Sequence, residues 1–300
     1  MQVIELDEIK KRLDIATAVA MQEEGFRLYS AGKVRVPPVG YLNMGTSYGE
    51  VHIKYGWIPD DPLFVVKIAG AYSEGVHGMM MALDSKTGRP RYFLKDEGYL
   101  TNIRTAMAGL IAAKYLAPQN IRGIGIVGTG MQARLQAQLL KAHTSCRDLQ
   151  VWGRDKSKAE AYAADMEKEG FDVHIAQTTA ELCRNCQLIV TTTAARGPLI
   201  RVEDIQPGTH ITAVGADAPG KQELDPEIFL RTDRVAVDSK SQCIDHGDLA
   251  NAPEGVKGIV ELGEIIADPQ LGRGSEHEIT IADLTGVGVQ DIQIAKAVLD

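Results

Sequence analysis

Apolar and polar positions are arranged differently in the two halves of the chain. Over residues 5–30, Ile9, Leu13 and Ala16 recur at helical spacing, which predicts an amphipathic helix at the start. Residues 34–94 break into short β-rich pieces separated by Gly, Pro and Asp-Pro, and this pattern predicts a largely antiparallel sheet. The strands of that sheet are expected at 50–53, 64–69, 79–83 and 91–93.

The second half alternates between buried strands and helices. An Ala-rich helix is predicted at 101–116, ends before Pro118 and links the two halves. From Arg122 onward the alternation is typical of βαβ units, which form a parallel sheet. Strands are expected at 123–127, 149–152, 173–175, 188–192, 210–214, 234–238 and 279–284, and helices at 131–143, 157–168, 179–186, 225–231 and 289–299. The last helix is expected to return to the first domain.

Composition and charge add few constraints, but they exclude some functions. The 300 residues favour two domains, and 44% hydrophobic with 24% charged residues is the balance of a globular protein with a sizeable core. A net charge of -8 argues against non-specific binding to nucleic acid or anionic membrane. Residues 1–12 lack the layout of a secretory signal, no apolar run approaches the roughly 20 residues that span a bilayer, and four scattered cysteines do not suggest a disulfide framework. We therefore expect a cytoplasmic protein.

A glycine-rich turn is the strongest local motif. Gly128-Thr129-Gly130 follows an apolar strand and precedes a helix. Gly128 permits a tight turn, Gly130 lets the backbone approach a pyrophosphate, and Ala133 keeps the helix close to the sheet. A turn without a ligand would need similar glycines, but the flanking strand, helix and second strand favour a bound dinucleotide. The expected fold is therefore α/β, with a Rossmann dinucleotide-binding domain over 117–285 and a smaller α+β domain over 1–116 and 286–300.

The end of the second strand of that domain bears on the choice of cofactor. The acid that usually selects NAD at the strand end is replaced by Gly153-Arg154. Arg154 could pair with a 2′-phosphate, whereas the following Asp155 could accept a hydrogen bond from the ribose diol. These residues slightly favour NADP(H) over NAD(H), and a solvated loop of mixed charge is the alternative.

Several motifs in order resemble the ornithine cyclodeaminase/mu-crystallin family across nearly the whole chain. They lie at 65–68, 101–106, 128–133, 214–221 and 284–286. The resemblance implies a homodimer, with a substrate-binding and dimerisation domain built from the N-terminal half and the last helix. It also implies hydride exchange at the α carbon of an amino or imino acid, which is the chemistry shared by cyclodeaminases, ketimine reductases and alanine dehydrogenases.

The resemblance assigns roles to individual residues. Lys67 and Arg104 resemble the cations beside the substrate carboxylate, and Asp217 resembles the carboxylate that handles protons in the cyclodeaminases. Many members carry an arginine clamp just after the proline that corresponds to Pro38, but here Val39 follows, so Lys54 is expected to replace that cation. This part of the chain resembles a branch that includes iminosuccinate reductases.

The expected site residues fall into three groups. For three of these residues a purely structural role is the alternative. Lys54 could be an ordinary surface lysine, Lys67 could snorkel or pair, and Asp217 could cap a helix. The expected catalytic residues are Lys67 and Asp217; the expected substrate-binding residues are Lys54, Lys67, Arg104 and Thr285; and the expected cofactor-binding residues are Arg104, Gly128, Gly130, Met131, Gln132, Arg154, Asp155, Thr193, Val214, Lys221 and Gly286.

These expectations lead to one main functional hypothesis and two alternatives. The main hypothesis is NAD(P)H-dependent reduction of a small 2-imino acid to the amino acid, or the reverse dehydrogenation. The alternatives are an ornithine-type cyclodeaminase with bound NAD and a non-enzymatic dinucleotide-binding protein. The spacing of Cys183 and Cys186 resembles half of a zinc or redox site, but no second pair exists, so packing in a helix is expected and no metal site.

Overall fold

The computed structural model describes residues 1–45, 48–72 and 75–299, and the chain divides into two compact units. Unit 1 comprises Met1–Arg104 and the segment from Val287 onward, and unit 2 comprises Thr105–Gly286. The division falls inside the linking helix, after Arg104, whereas the sequence predicts a boundary at the end of that helix.

Unit 1 is built on a six-stranded sheet among the described residues. Its strands are β1 (Gln2–Glu5), β2 (Gly40–Asn43), β3 (Glu50–Trp57), β4 (Leu63–Tyr72), β5 (Gly75–Asp84) and β6 (Pro90–Lys95), in the order β1-β6-β5-β4-β3-β2. Its helices are α1 (Leu6–Arg12), α2 (Ile15–Ser30), the start of α3 (Tyr99–Leu116), and α10 (Gly288–Leu299). Neighbouring strands are antiparallel except for β1 and β6, which are parallel.

The helix expected over residues 5–30 is wrong in one respect, because the structure has two helices there. Leu13 and Asp14 take extended backbone conformations between α1 and α2. The Asp14 side chain then accepts a hydrogen bond from the backbone N–H of Thr17 at 2.8 Å and caps α2. The apolar residues keep helical spacing across this point, so the spacing does not reveal that one helix ends and a second, capped helix begins.

Alternation along β3, β4 and β5 gives the sheet of unit 1 two different faces. Lys54 lies opposite Lys67, Lys67 opposite Met80, and Met80 opposite Leu94, and all four side chains are buried. Helix α10 packs on this inner face, against β3 and β4. The outer face carries large apolar side chains that are 38–42% exposed: Ile53, Tyr55, Ile68 and Met79.

Unit 2 is a parallel sheet with helical connections, and the α/β class predicted from the sequence is confirmed. Its strands are β7 (Ile124–Val127), β8 (Asp148–Trp152), β9 (Asp172–Ile175), β10 (Leu188–Thr191), β11 (Arg196–Ile200), β12 (His210–Ala213), β13 (Gln222–Leu224), β14 (Arg234–Val237), β15 (Ile259–Glu261) and β16 (Thr280–Asp283). Its helices, after the remainder of α3, are α4 (Met131–Leu140), α5 (Lys156–Lys168), α6 (Thr179–Asn185), α7 (Ile228–Arg231), α8 (Lys240–His246) and α9 (Leu262–Ala267).

The strand order of unit 2 is that of a Rossmann fold. The main sheet runs β15-β14-β16-β12-β10-β7-β8-β9, with β11 and β13 paired separately. The chain leaves β7 towards β8 and β9 and then returns to β10 on the other side of β7, so the order reverses there. Ligands of such sheets bind outside the carboxyl ends of the strands at this switch point. Within the described ranges, no helix is long and apolar enough to cross a membrane.

Candidate active site

Three basic side chains surround one buried carboxylate in unit 1, and we refer to them as the cation cluster. Lys67 on β4 places its Nζ 3.1 Å from Oδ1 of Asp291 on α10, and Nε of Arg104 on α3 lies 3.2 Å from the same oxygen. Lys54 on β3 lies directly across the sheet from Lys67 and is also buried. The Lys67 and Asp291 side chains are only 2% and 1% exposed, so this charge lies away from bulk water.

The cation cluster makes Lys67 unusually acidic. Burial lowers the pKa of Lys67 to about 7; Asp291 opposes that shift, and repulsion from Arg104 and Lys54 adds to it. Burial also disfavours ionisation of Asp291, but attraction by Lys67, Arg104 and Lys54 outweighs it and keeps the Asp291 pKa below its ordinary value. An amine that titrates near neutrality can hold or release a proton under physiological conditions.

Two further polar groups fix the surroundings of the cation cluster. Gln290 accepts a hydrogen bond from Nη1 of Arg104 at 3.4 Å and donates one to the Arg104 carbonyl at the same distance. Asp96 accepts from the backbone N–H of Leu100 at 2.9 Å at the start of α3, and burial raises its pKa. Arg104, which lies on α3, is therefore held by α10 through Gln290 and Asp291.

Sequence reasoning missed Asp291 and Gln290. A signal was present, because both residues lie in an otherwise largely apolar helix that ends at Leu299. Charged and amide side chains that are buried in such a helix need partners, and these partners turn out to be the predicted cations. Periodicity alone could not identify which basic residues they would meet.

The glycine turn of unit 2 has the geometry of a dinucleotide cradle. Gly128 has φ +125°, and a Cβ at this position would overlap Oγ1 of Thr192. A Cβ on Gly130 would meet nothing within 4 Å, so open space lies in front of the backbone there. Helix α4 begins next, with Met131 60% exposed and Ala133 fully buried, and no side chain caps the helix. The turn fits a pyrophosphate, because the N–H groups of the first helical turn and the helix dipole face an accessible space.

The end of β8 carries Arg154 and Asp155, which bear on the choice of cofactor. Arg154 is exposed. Oδ1 of Asp155 accepts hydrogen bonds from the backbone N–H groups of Ser157 and Lys158 at 3.0 and 3.3 Å, which makes it the N-cap of α5. The side-chain hydrogen bond with Ser157 is the main reason why the pKa of Asp155 is lowered. Asp155 therefore has a structural role of its own.

Asp217 lies in the loop after β12, where it is paired. Its Oδ1 accepts a hydrogen bond from Nζ of Lys221 at 2.6 Å, and its side chain is 46% exposed. Thr285 and Gly286 follow β16 and are held by Asp238, which accepts from the Thr285 hydroxyl at 3.0 Å and from the Gly286 N–H at 2.5 Å. These predicted residues thus occupy fixed loops at the carboxyl edge of the sheet.

The other predicted residues of unit 2 also lie near strand and helix ends. Gln132 belongs to the first turn of α4, and Thr193 and Val214 follow β10 and β12. Cys183 and Cys186 are buried in the core of unit 2, and burial raises the pKa of the Cys183 thiol to about 12. This agrees with the packing interpretation of that pair.

Fold and site define a Rossmann-type α/β protein with a second, cation-bearing unit. Residues 2–300 match the model of the ornithine cyclodeaminase/mu-crystallin family, and the chain belongs to that family. A relative from Sinorhizobium fredii, described as an uncharacterized cyclodeaminase, is 38% identical over 93% of this chain and 88% of its own length. The family predicted from the motifs is confirmed.

Three solved structures resemble the chain over almost its full length. An archaeal alanine dehydrogenase dimer with bound NAD has a TM-score of 0.88 and 30% identity, covering 99% of this chain and 94% of its own. The Δ1-pyrroline-2-carboxylate reductase of Thermococcus litoralis with NADH and L-proline has a TM-score of 0.91 and 26% identity, covering 99% and 96%. The iminosuccinate reductase of Paracoccus denitrificans with NAD+ has a TM-score of 0.87 and 28% identity, covering 100% and 95%.

Proposed function

We propose that the protein reduces a small 2-imino acid to the corresponding amino acid with a nicotinamide dinucleotide, and that it also catalyses the reverse reaction. The observation that carries this proposal is the buried cation cluster, in which the pKa of Lys67 is about 7. The glycine turn of unit 2 supports the dinucleotide, and so do relatives that bind NAD or NADH.

The cation cluster is suited to bind the substrate carboxylate. Arg104 and Lys54 repel the charge on Lys67, and an anionic ligand relieves that repulsion. Arg104 brings a planar fork of donors that can engage both oxygens of a carboxylate, and its orientation is held by Gln290. Asp291 keeps Lys54, Lys67 and Arg104 from being an uncompensated buried charge.

Lys67 and Asp217 are the residues that we assign to proton transfer. With a pKa of about 7, Lys67 is able to give a proton to a substrate nitrogen and take one back near neutral pH. Asp217, an accessible carboxylate hydrogen-bonded to Lys221, is suited to a second proton-transfer step. When bound, the dinucleotide supplies the hydride, and the cations orient the substrate for its transfer.

The first test is a loss of nicotinamide absorbance. NADH and NADPH are each offered with ammonia and a panel of 2-oxo acids that includes pyruvate and oxaloacetate, and with cyclic ketimines in the absence of ammonia. Turnover of at least one compound supports the reductase and names its substrate class. Protein that binds the dinucleotide but turns over none of these compounds contradicts the proposal.

Cyclodeamination of a diamino acid is the second candidate. Asp217 at a position that resembles the cyclodeaminase carboxylate favours it, and so does the Sinorhizobium relative. This candidate predicts release of ammonia from ornithine with catalytic amounts of NAD and no net change in absorbance at the NADH maximum. The two assays therefore separate the candidates.

We also propose that the protein is a homodimer whose two copies meet through the outer face of unit 1. Ile53, Tyr55, Ile68 and Met79 form a contiguous apolar surface on adjacent strands, and such surfaces are rare on monomers. The archaeal alanine dehydrogenase is a dimer, which favours a second copy of this chain as the occupant.

A further inference from the structure

Glu223 on β13 is a fully buried carboxylate that reaches two loops of unit 2. It accepts hydrogen bonds from the hydroxyl of Thr191 at 2.7 Å and from the backbone N–H groups of Thr193 and Gly215 at 2.5 and 2.9 Å. Thr191 ends β10, and Gly215 lies in the loop after β12. One side chain therefore ties together the chain segments that leave two neighbouring strands.

The space around this carboxylate is filled. A Cβ on Gly215 would overlap the Thr193 carbonyl and the Glu223 carboxylate, so the two loops approach more closely than a side chain would permit. The three donors that surround Glu223 are one hydroxyl and two backbone N–H groups, a set that suits an acceptor with no hydrogen of its own.

Glu223 is itself held by further buried acids. Oδ1 of Asp248 accepts from the backbone N–H groups of Glu223 and Leu224 at 2.8 and 2.9 Å. Asp283, at the end of β16, in turn accepts from the N–H groups of Asp248 and Leu249 at 3.3 and 2.9 Å. The carboxylates form a series in which each one fixes the backbone of the next segment.

Burying these acids is energetically unfavourable, and hydrogen bonds offset only part of the penalty. Burial raises the pKa of Glu223 to about 7, nearby Asp248 adds to the shift, and the hydrogen bonds from Thr191 and Thr193 oppose it. An apolar residue would avoid that cost but could not bind three donors. The arrangement therefore fixes loop geometry at the expense of stability.

The position of the two loops in the Rossmann fold indicates what they serve. A dinucleotide lies across the switch point, with one mononucleotide over the half that contains β7, β8 and β9 and the other over the half that begins with β10 and β12. The expected ribose contacts at the end of β8 assign the adenosine to the first half. The loops that Glu223 ties together then belong to the nicotinamide half, and Asp217 lies two residues beyond Gly215.

We propose that Glu223 is a positioning residue whose carboxylate locks the loops after β10 and β12 in the conformation that receives the nicotinamide half of the dinucleotide. The proposal deepens the proposed function and shares with it only the identity of the cofactor. It concerns cofactor binding before any imino acid is present, and it is therefore tested without turnover.

The test compares a ligand that carries the nicotinamide ring with one that lacks it. Glu223→Gln places an amide N–H₂ against one of the three donors and so breaks the acceptor set. We expect its affinity for NADH, measured by the fluorescence of the bound nicotinamide, to fall about tenfold. Its affinity for ADP-ribose, measured by calorimetry, should stay within about twofold of wild type. NADPH and 2′-phospho-ADP-ribose replace this pair if the protein selects the phosphorylated cofactor.

A matched control and a second variant keep the test decisive. Glu227→Gln makes the same chemical change at an exposed site four residues away and should leave both affinities unchanged. Thr191→Val removes one donor while keeping the carboxylate and the side-chain shape, so it should weaken NADH binding about threefold. It provides the test if Glu223→Gln does not fold. Equal loss of both ligands, or unchanged NADH binding in both test variants, overturns the positioning role. If Glu223→Gln weakens NADH binding but not ADP-ribose binding, and the wild type turns over no imino acid, only the proposed reaction is contradicted.

Discussion

At the scale of single residues, the charge on Lys67 is set by its neighbours. Its pKa of about 7 reflects burial and repulsion from Arg104 and Lys54, against attraction by Asp291. If the protonated amine takes part in reduction, kcat/KM for the imino acid falls as pH rises through about 7, because the free enzyme loses that proton. The descending limb of the pH profile therefore reports on Lys67.

Two variants should move this limb in opposite directions. Asp291→Asn removes the charge that raises the Lys67 pKa, so the limb should shift by about one unit to lower pH. Lys54→Met removes a repelling charge, so the limb should shift to higher pH even if KM also changes. Lys95→Met, at an exposed lysine on the same sheet, is the control and should leave the profile in place. Shifts in the same direction, or none, would contradict the assignment.

Arg154 is tested through the choice of cofactor. It is exposed at the end of β8, next to an Asp155 that is engaged as the cap of α5. We expect Arg154→Gln to lower kcat/KM for NADPH about tenfold or more and to change the value for NADH less than about threefold, since one charge-assisted contact is lost. Lys156→Gln, a neighbouring exposed cation, should change neither. If Arg154→Gln leaves the ratio of kcat/KM for NADPH to kcat/KM for NADH unchanged, Arg154 is a solvated loop residue.

How far the sequence predicted the site differs from residue to residue. Lys67 was recognisable because a lysine inside an apolar strand needs a partner. The roles of Arg104 and Asp217 rest on separated motifs and stay predictions. Asp291 was not found, because its role depends on a helix that packs against strands more than 200 positions earlier in the chain. Glu223 was missed for a similar reason, since a three-residue strand gives no periodic signal.

At the scale of elements, packing of α10 against the sheet of unit 1 fixes the cation cluster. Gly56 on β3 permits this approach, because a Cβ there would lie 2.8 Å from the Arg35 carbonyl and 3.1 Å from Cδ1 of Ile292 on α10. The backbone carbonyl cannot yield as a flexible side chain would. If that space were filled, the backbone at Arg35 would have to shift and the tip of the Ile292 side chain on α10 would have to turn away.

Gly56→Ala should therefore lower stability. We expect the free energy of unfolding in urea to fall by about 1–3 kcal/mol, the usual result of overpacking. Gly40→Ala, where the nearest atom would be 3.4 Å away, should change stability by less than about 0.5 kcal/mol. Equal effects of the two substitutions would show that close packing at Gly56 is unimportant.

Longer elements were easier to predict than short ones. The strands of both sheets with clear alternation or continuous burial were expected close to where they lie, with β3, β4 and β5 extending further than predicted. Strands β1, β2, β11, β13 and β15 were not expected, because three to five residues contain too few positions to show a period and none of these strands is a run of fully buried residues. The helix expected at 225–231 shortens to α7, with Pro226 just before it.

At the scale of the whole molecule, the outer face of unit 1 is the feature that a single chain does not explain. The inner face is buried under α10, whereas the outer face leaves Ile53, Tyr55, Ile68 and Met79 38–42% exposed. Strand alternation predicts that one face of such a sheet is packed and the other is polar, but here the outer face is also apolar. A second copy of the chain placed on the outer face would remove this apolar surface from water.

Oligomeric state therefore tests the assignment of the outer face. Sedimentation of the wild type should give about twice the 32.5 kDa of one chain, since a twofold contact places the same surface of each copy together. Ile68→Lys puts a charge into each half of that contact and should shift the protein to the monomer, because both lysines would be buried against apolar partners. Leu230→Lys, an equally exposed apolar site in unit 2, should leave the dimer intact. A wild-type monomer would rule out this contact, and an Ile68→Lys dimer would place it elsewhere on the chain. Either result would leave the outer face without an occupant.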